Sequence, residues 1–487
     1  MNLYNLFVEA VRTHHDKIAI VSEGTRFTYE QLQKKSELFA SSIKAIFSNN
    51  NSLRFGLLIE NSIDDIAILL AASKLNIEIL TINSELNRNQ IDILLKETGT
   101  SVLVIEQEKL SNYDDCIILG KLEDKVFVNT SKSFSDVNSQ NSAYLITASS
   151  GSTGNPKPIV FSQEIKYLRM LQSKKLYSIS DDDVILNASG LYHSLGQRLT
   201  FLPLLNGCTL ILLSKFNQNK WIKAIEMEKV TFTIAVSTHL HALSKYLLSD
   251  TIQQTSLKRI VSSSAAINSE TKHALFMNDK FEFYEQYGAS EVATVSNCSK
   301  ENFLEDQNSV GNLCDGVDVK IHNREIDSSN LGEIKVKTSI AFMGYMKEGS
   351  LQAFPRNSYF KTGDVGSLKN KFLFFHGRIQ EVINRGGQNL YPQDIESYLL
   401  KNEKVSECKV IKASHPYFGE VPIAFIATFP GTSLTKSEIN SWSLINIPRF
   451  QIPGDYIFLE KLPKLGSGKI DIIKLQTIFQ SIGETIQ

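Results

Sequence analysis

The sequence predicts an α/β protein. A large N-terminal domain of helix-covered, mostly parallel sheets is followed by a small β-barrel-like subdomain and a small α+β domain. Three observations predict this. Apolar runs of strand length alternate with amphipathic helical stretches over roughly the first 380 residues, the pattern of parallel sheets covered by helices. After Val310 the residues alternate in and out, the period of half-exposed antiparallel strands. Near Gly377 the character changes again, leaving a mixed segment to Gln487 that is long enough for a small domain of its own.

The elements follow in order. Phe55-Gly56-Leu57-Leu58-Ile59 reads as a buried strand, Ile63 to Leu75 as a helix, and Glu78-Ile79-Leu80-Thr81-Ile82 as the next strand. Ile91 to Glu97 is helical, and Val102-Leu103-Val104-Ile105 is a strand. The Asn/Ser-rich pieces Ser48 to Ser52 and Ser131 to Ser142 read as loops. Tyr144-Leu145-Ile146-Thr147-Ala148 is a further strand. Val317 to Ile321 and Glu333 to Lys337 carry the later alternating pattern.

Length and composition set bounds. A chain of 487 residues is too long for one ordinary core. Its apolar content of 42% and charged content of 21% suit a globular protein. The net charge of −1 offers no basic surplus for nucleic acid. The five cysteines lie far apart with no C-x-x-C pair, so a zinc ribbon or disulfide framework is disfavoured. The N-terminal residues do not read as a signal peptide, and no apolar run reaches membrane-spanning length. A reducing cytoplasm is the expected location.

The most informative segment is Ser149-Ser150-Gly151-Ser152-Thr153-Gly154-Asn155-Pro156-Lys157. Glycines let backbone N–H groups turn toward a ligand, and successive N–H groups form an anion-binding nest. Hydroxyls add donors, and the lysine adds a mobile charge. The set suits a polyphosphate. The spacing is not that of the G-x-x-x-x-G-K-[ST] loop, which disfavours a GTPase or P-loop ATPase.

Four clusters lie downstream. They are Tyr287-Gly288-Ala289-Ser290-Glu291, Tyr359-Phe360-Lys361-Thr362-Gly363-Asp364, the stretch Gly377-Arg378 through Gly386-Gly387 to Glu396, and Leu462-Pro463-Lys464-Leu465-Gly466-Ser467-Gly468-Lys469-Ile470. In this order and at these separations they resemble the adenylate-forming superfamily. Its members are acyl- and aryl-CoA synthetases, adenylation domains of nonribosomal peptide synthetases, and luciferases. The resemblance runs from Phe27-Thr28-Tyr29-Glu30-Gln31-Leu32 to Lys469.

The resemblance implies two steps. A carboxylate attacks the α-phosphate of ATP to give an acyl-adenylate, and a thiol of CoA or of a phosphopantetheinyl carrier protein then displaces AMP. It implies that Ser150, Gly151, Ser152, Thr153, Gly154 and Lys157 hold the β- and γ-phosphates. Glu291 would ligate Mg²⁺, and Ser290 would lie near the α-phosphate. Tyr287 with Gly288 would pack on adenine, and Asp364 with Arg378 would bind the ribose. Ser264 and Ala265 would border adenine and acid. Lys469 would contact the carboxylate and the AMP phosphate as the main catalytic lysine. The division implied is residues 1–379 for acid, ATP and Mg²⁺, and residues 380–487 for a mobile domain that carries Lys469 and then presents Gly387 to the thiol.

Three positions depart from the family pattern. Pro158 stands where glycine usually follows the loop lysine, Gln380 where the hinge usually has Asp or Lys, and Ser262-Ser263-Ser264 where many relatives have Ser-Gly-Gly. Leu191-Tyr192-His193-Ser194-Leu195-Gly196 bears on the substrate. Amino-acid-activating relatives usually place aspartate at the His193 position, and a neutral imidazole supplies no fixed negative charge. An acyl or aryl acid is therefore favoured over an α-amino acid.

His239 and His241, at i and i+2, do not share a helix face, and His14-His15 reads as a solvated pair. From Gln380 to Gln487 there are 11 Lys+Arg and 11 Asp+Glu, so charge favours neither CoA phosphates nor an acidic carrier. The 18 residues after Lys469 are too few for a fused carrier, so a carrier is expected to be a separate partner. The expected activity is thus an acid–thiol ligase. The alternatives are an enzyme loading an amino acid onto a carrier, and an inactive nucleotide-binding regulator.

Overall fold

The structure is a computed structural model. It describes residues 1–47, 54–113, 115–130, 143–149, 157–249, 256–264, 267, 269–322, 331–464 and 470–483. Both Asn/Ser-rich pieces, at 48–52 and 131–142, lie outside the described residues. Among the described residues the strands form three sheets of thirteen, nine and five.

The nine-stranded sheet is built on the buried apolar runs. Arg54–Ile59 is buried throughout and runs parallel to Glu78–Asn83 and Val102–Glu106. The helix Ile63–Leu75 follows, as expected, and Ser62 and Asp65 close its start with a reciprocal capping box. The helix expected at Ile91 to Glu97 is longer, Arg88–Thr98, because Asn87 and Gln90 cap it in the same way one turn earlier.

Ala143–Ser149 lies parallel to Glu78–Asn83, and Lys157–Ser162 turns back antiparallel to it. These two strands flank the phosphate-loop candidate, whose residues 150–156 lie outside the described set. Pro158 is explained by its strand. The Met343 N–H donates to the Val160 carbonyl, so Val160 and Pro158 turn their backbone groups toward the strand Gly344–Lys347. Of the strand Lys157–Ser162, it pairs with Ile159 and Val160 among the described residues. The N–H that Pro158 lacks falls beyond the ladder, near the start of its strand, where proline is tolerated.

In the thirteen-stranded sheet Ile18–Ser22, Thr209–Leu212, Val184–Asn187, Phe232–Val236, Arg259–Ser263 and Glu282–Ala289 run parallel. The direction then reverses at Ala293–Cys298. The strands beyond Val310 continue this sheet as an antiparallel run of Asn312–Leu313, Phe372–Arg378, Phe360–Lys369, Gly332–Thr338 and Val317–His322. That continuation is the form taken by the barrel-like subdomain.

The five-stranded sheet gathers the last part of the chain. Ile383–Arg385, Gln388–Leu390, Val405–His415, Gly419–Thr428 and Asp455–Phe458 make it, with the helices Pro392–Leu399, Lys436–Asn446 and Ile472–Ile482. Gly386 and Gly387 form the two-residue turn of its first hairpin, both at positive φ (58° and 87°). That is the conformation a tight hairpin demands and glycine supplies.

The helix Gln163–Leu176 departs from simple amphipathicity. Its buried positions are Gln163, Lys166, Arg169, Met170 and Ser173, a stripe that is polar where an apolar one would ordinarily pack. His14 differs from expectation: its ring sits against Tyr29 at 6.1 Å and 3.7 Å from Asp181, while His15 alone is exposed. His239 stacks flat on Phe216 at 3.7 Å, and burial pushes its imidazole down to about 4, so it is neutral. No described helix is long and apolar enough to cross a membrane.

Candidate active site

Alternate residues of the strand Glu282–Ala289 serve opposite faces. Tyr287 turns toward the antiparallel extension. Its hydroxyl donates to Asp364 Oδ2 at 2.7 Å, and its ring lies 5.5 Å from that of Phe375. Asp364 is 3% exposed and sits on Phe360–Lys369, directly paired with Arg378 on the neighbouring strand. The Arg378 Nε lies 2.9 Å from Asp364 Oδ1. Gly363 takes a positive φ of 71° just before the aspartate, and the Asp364 N–H donates to Thr362 Oγ1. Burial first, then the Asp364 charge, pushes the Tyr287 phenol far above its ordinary range, so it remains a donor at neutral pH. Tyr287, Asp364 and Arg378, separated in sequence, therefore form one cluster.

At the end of the same hairpin lie Ser290 and Glu291. Gly288 is required there, because a Cβ would stand 2.0 Å from the Ala293 carbonyl oxygen. Glu291 is half-buried, and its Oε1 accepts from the Tyr345 hydroxyl at 2.8 Å. Among the described residues its second carboxylate oxygen has no hydrogen bond. Tyr345 pairs with Ile159 on the strand that begins at Lys157. Glu291 is thus tied through one tyrosine to the strand leaving the phosphate-loop candidate. Lys157 is exposed at the start of that strand.

The remaining candidates are distributed more widely. His193 caps the helix Ser194–Leu204 with its backbone, and its ring lies 4.5 Å from that of Tyr192. Ser264 is exposed at the end of Arg259–Ser263, with φ of 80°. Gly387 is exposed in its hairpin, and Gln380 is exposed in the short 3-10 turn Ile379–Glu381. Ser150, Gly151, Ser152, Thr153, Gly154, Ala265 and Lys469 lie outside the described residues.

Sequence reasoning missed the groups that hold these elements together. Arg169, 2% exposed, donates to three carbonyls: Ile340 at 3.0 Å, Ser290 at 2.7 Å and Glu291 at 2.8 Å. It clamps the turn that carries both candidate residues. Lys166 donates to Gln197 Oε1 at 2.5 Å and lies 3.8 Å over the Phe161 ring. Gln197 in turn donates to Thr81, Thr147 and the Leu191 carbonyl. Arg198 donates to Thr294 Oγ1 at 2.9 Å and Gln286 Oε1 at 3.4 Å. The signal for this cluster was the polar stripe of Gln163–Leu176; the signal for Tyr345 was the close-packed glycine beside it, Gly344.

Burial lowers all three cations, and repulsion from neighbouring cations adds to it at Lys166 and Arg169. Lys166 falls well below its ordinary range, Arg169 drops to about 9, and Arg198 also drops, in its case by burial alone. No carboxylate lies within ion-pair distance of any of them among the described residues. Of these basic groups, Arg169 stands directly behind the Ser290–Glu291 turn.

Two family models match this chain. The AMP-binding enzyme model matches residues 7–346, and the AMP-binding enzyme C-terminal domain model matches residues 394–469. The chain is 24% identical over 481 residues to a 2-succinylbenzoate–CoA ligase of Staphylococcus epidermidis, covering 96% of each. It is 25% identical over 480 residues to a feruloyl-CoA synthase of Amycolatopsis, covering 95% of this chain and 96% of the other. Among solved structures, ATP-bound MatB of Rhodopseudomonas palustris superposes with a TM-score of 0.85 at 21% identity, covering 99% of this chain and all of that one. The o-succinylbenzoate CoA synthetase of Bacillus subtilis, in complex with its acyl-adenylate intermediate, gives 0.81 at 22%, covering 97% and 98%. With a family model spanning well over half its length and the same fold throughout, this chain belongs to the AMP-binding enzyme family.

Proposed function

We propose that this protein is an ATP-dependent ligase that adenylates a small acyl or aryl carboxylic acid and transfers it to the thiol of CoA. The observation that carries this reading is the joining of Tyr287–Asp364–Arg378 and Ser290–Glu291–Tyr345 on one hairpin, next to the strand that leaves the phosphate-loop candidate. The names of the curated relatives, ligases and synthases of CoA thioesters, support the thiol.

The residues fit the reactants. Asp364, a buried carboxylate fixed by a neutral phenol and a guanidinium, suits a pair of ribose hydroxyls, and the Tyr287 ring beside it suits adenine. Glu291 offers a hard carboxylate oxygen, as Mg²⁺ prefers. Mg²⁺, when bound, supplies neutralisation of the phosphate charge.

In the first step the acid's carboxylate oxygen attacks the α-phosphorus. The bond to the β-phosphate oxygen breaks, and pyrophosphate leaves. Ser150 to Gly154 and Lys157 hold the departing phosphates. Ser290 donates near the α-phosphate, and Lys469 meets the charge shared by carboxylate and phosphate. Such fixed donors act where charge develops, which is why they accelerate the step. His193, with Ser264 and Ala265, borders the acid. The division falls at 379/380, with the 3-10 turn at Gln380 as the hinge and the smaller domain moving between steps. In the second step the thiol attacks the acyl carbon and AMP leaves, with Gly387 lining the approach.

Mass spectrometry of the product tests the reaction. With ATP, Mg²⁺, CoA and an acid panel, an acyl-CoA and AMP are expected; an adenylate that accumulates without CoA transfer would contradict the thiol assignment. Tyr345→Phe removes only the hydroxyl that orients Glu291. It is expected to raise the Mg²⁺ needed for half-maximal activity by about tenfold, the usual cost of a lost outer partner of a metal ligand. Titration of Mg²⁺ at saturating ATP measures it.

A further inference from the structure

A buried charge requires a partner. Lys166, Arg169 and Arg198 are enclosed together, and among the described residues none of them has a carboxylate at ion-pair distance. Arg169 has engaged all three of its guanidinium nitrogens, and Lys166 has engaged part of its ammonium. Arg169 gives its guanidinium to three carbonyls, and Lys166 is held by Gln197 and the Phe161 ring. Arg198 is less engaged than Arg169. A guanidinium carries five N–H donors. Only the Arg198 Nη1 donates among the described residues, and both acceptors, Gln286 and Thr294, are neutral. Among the described residues its Nε is buried with no hydrogen-bond partner. Yet the residue is only part-buried, so it is not sealed in the core.

Thr294, one of the two Arg198 acceptors, is paired directly with Gly288, near the end of the strand that leads into Ser290. Arg198 therefore lies against the hairpin whose turn carries Ser290 and Glu291. Its own helix begins at His193, the residue bordering the acid in the reading above.

We propose that Arg198 receives a second acidic group on the acid substrate, so that the enzyme takes dicarboxylic acids, one carboxylate reacting near Ser290 and the other paired with the Arg198 guanidinium. Lys166 and Arg169 add a positive field that favours the same anion. This inference rests on the ligase reading above. It deepens that reading, because a plain aliphatic or aryl monoacid would leave the guanidinium without a charged partner.

The test is acid-dependent ATP–pyrophosphate exchange with matched pairs: succinate against butyrate, adipate against hexanoate, isophthalate against 3-methylbenzoate. The intact protein is expected to favour at least one diacid over its monoacid by about 10- to 150-fold in kcat/KM, the range for a hydrogen-bonded charge. Arg198→Met is expected to remove most of that preference, read as the ratio of diacid to monoacid kcat/KM in the same preparation. Arg198→Lys is expected to keep part of it, which separates loss of charge from loss of folding. Monoacids used as well as diacids, or an Arg198→Met variant that folds and keeps the same ratio, would overturn the inference and leave the ligase reading standing. No exchange with any acid of the panel, although ATP binds, would overturn both.

Discussion

Lys469→Ala is expected to lower the adenylation rate by roughly 10²–10³-fold, the range for removing one key electrostatic donor at a site of developing charge. A lysine about 4 Å from that charge contributes roughly 4 kcal/mol at an effective dielectric near 20, enough for a loss of this size. The second half-reaction should respond differently. If the smaller domain moves after adenylation and withdraws the lysine, transfer from a supplied acyl-adenylate to CoA does not need it. Single-turnover assays of the two halves, run separately on the variant, check this. Equal losses in both would mean that Lys469 stabilises the fold or a state common to both steps.

Arg169→Met is expected to have the largest effect on stability. It strips the donor from the Ser290 and Ile340 carbonyls. The Glu291 carbonyl is less exposed to this loss, because it also accepts from the Phe342 N–H. Two orphaned buried acceptors cost about 2–4 kcal/mol together. Relief of repulsion with Lys166 and Arg198 opposes this, but those charges are already weakened by burial, so the orphaned carbonyls should win. The turn that carries Ser290 and Glu291 loosens too, and a shift of about 1 Å at such a site costs on the order of 10²-fold in rate. Lysine at this position cannot reach three carbonyls in a fork, so Arg169→Lys should rescue little. Urea unfolding and exchange rates measure both effects. A variant with an unchanged midpoint and unchanged Mg²⁺ dependence would show that the clamp is dispensable.

These two predictions rest on different kinds of legibility. The parallel strands were readable because strands buried on both faces need continuous apolar runs. Phe55 to Ile59 and Val102 to Ile105 have little else they can be. The helix ending at Thr98 was readable in its middle, but its start depended on the Asn87–Gln90 cap. Candidate residues drawn from ordered motifs were readable as types, and the structure brings Tyr287, Asp364 and Arg378 into contact.

What could not be read was anything fixed only by packing between distant segments. Arg169 meets Ser290 across 121 residues, and Tyr345 meets Glu291 across 54. No periodicity encodes such pairs. Lys125 makes the same point away from the site. It is fully buried, which only the carboxylates of Asp65 at 2.7 Å and Glu106 at 2.6 Å make tolerable. Pro158 was a departure without a reason until the edge of the Gly344–Lys347 ladder supplied one.

The central claim is that this chain makes an acyl-adenylate from ATP and a carboxylic acid. Its most direct test is carboxylate-dependent exchange of labelled pyrophosphate into ATP by the intact protein with Mg²⁺ and without CoA. The account predicts that label enters ATP only when a suitable acid is present, and that the exchange falls with Lys469→Ala. ATP binding with no acid-dependent exchange across the panel would contradict it.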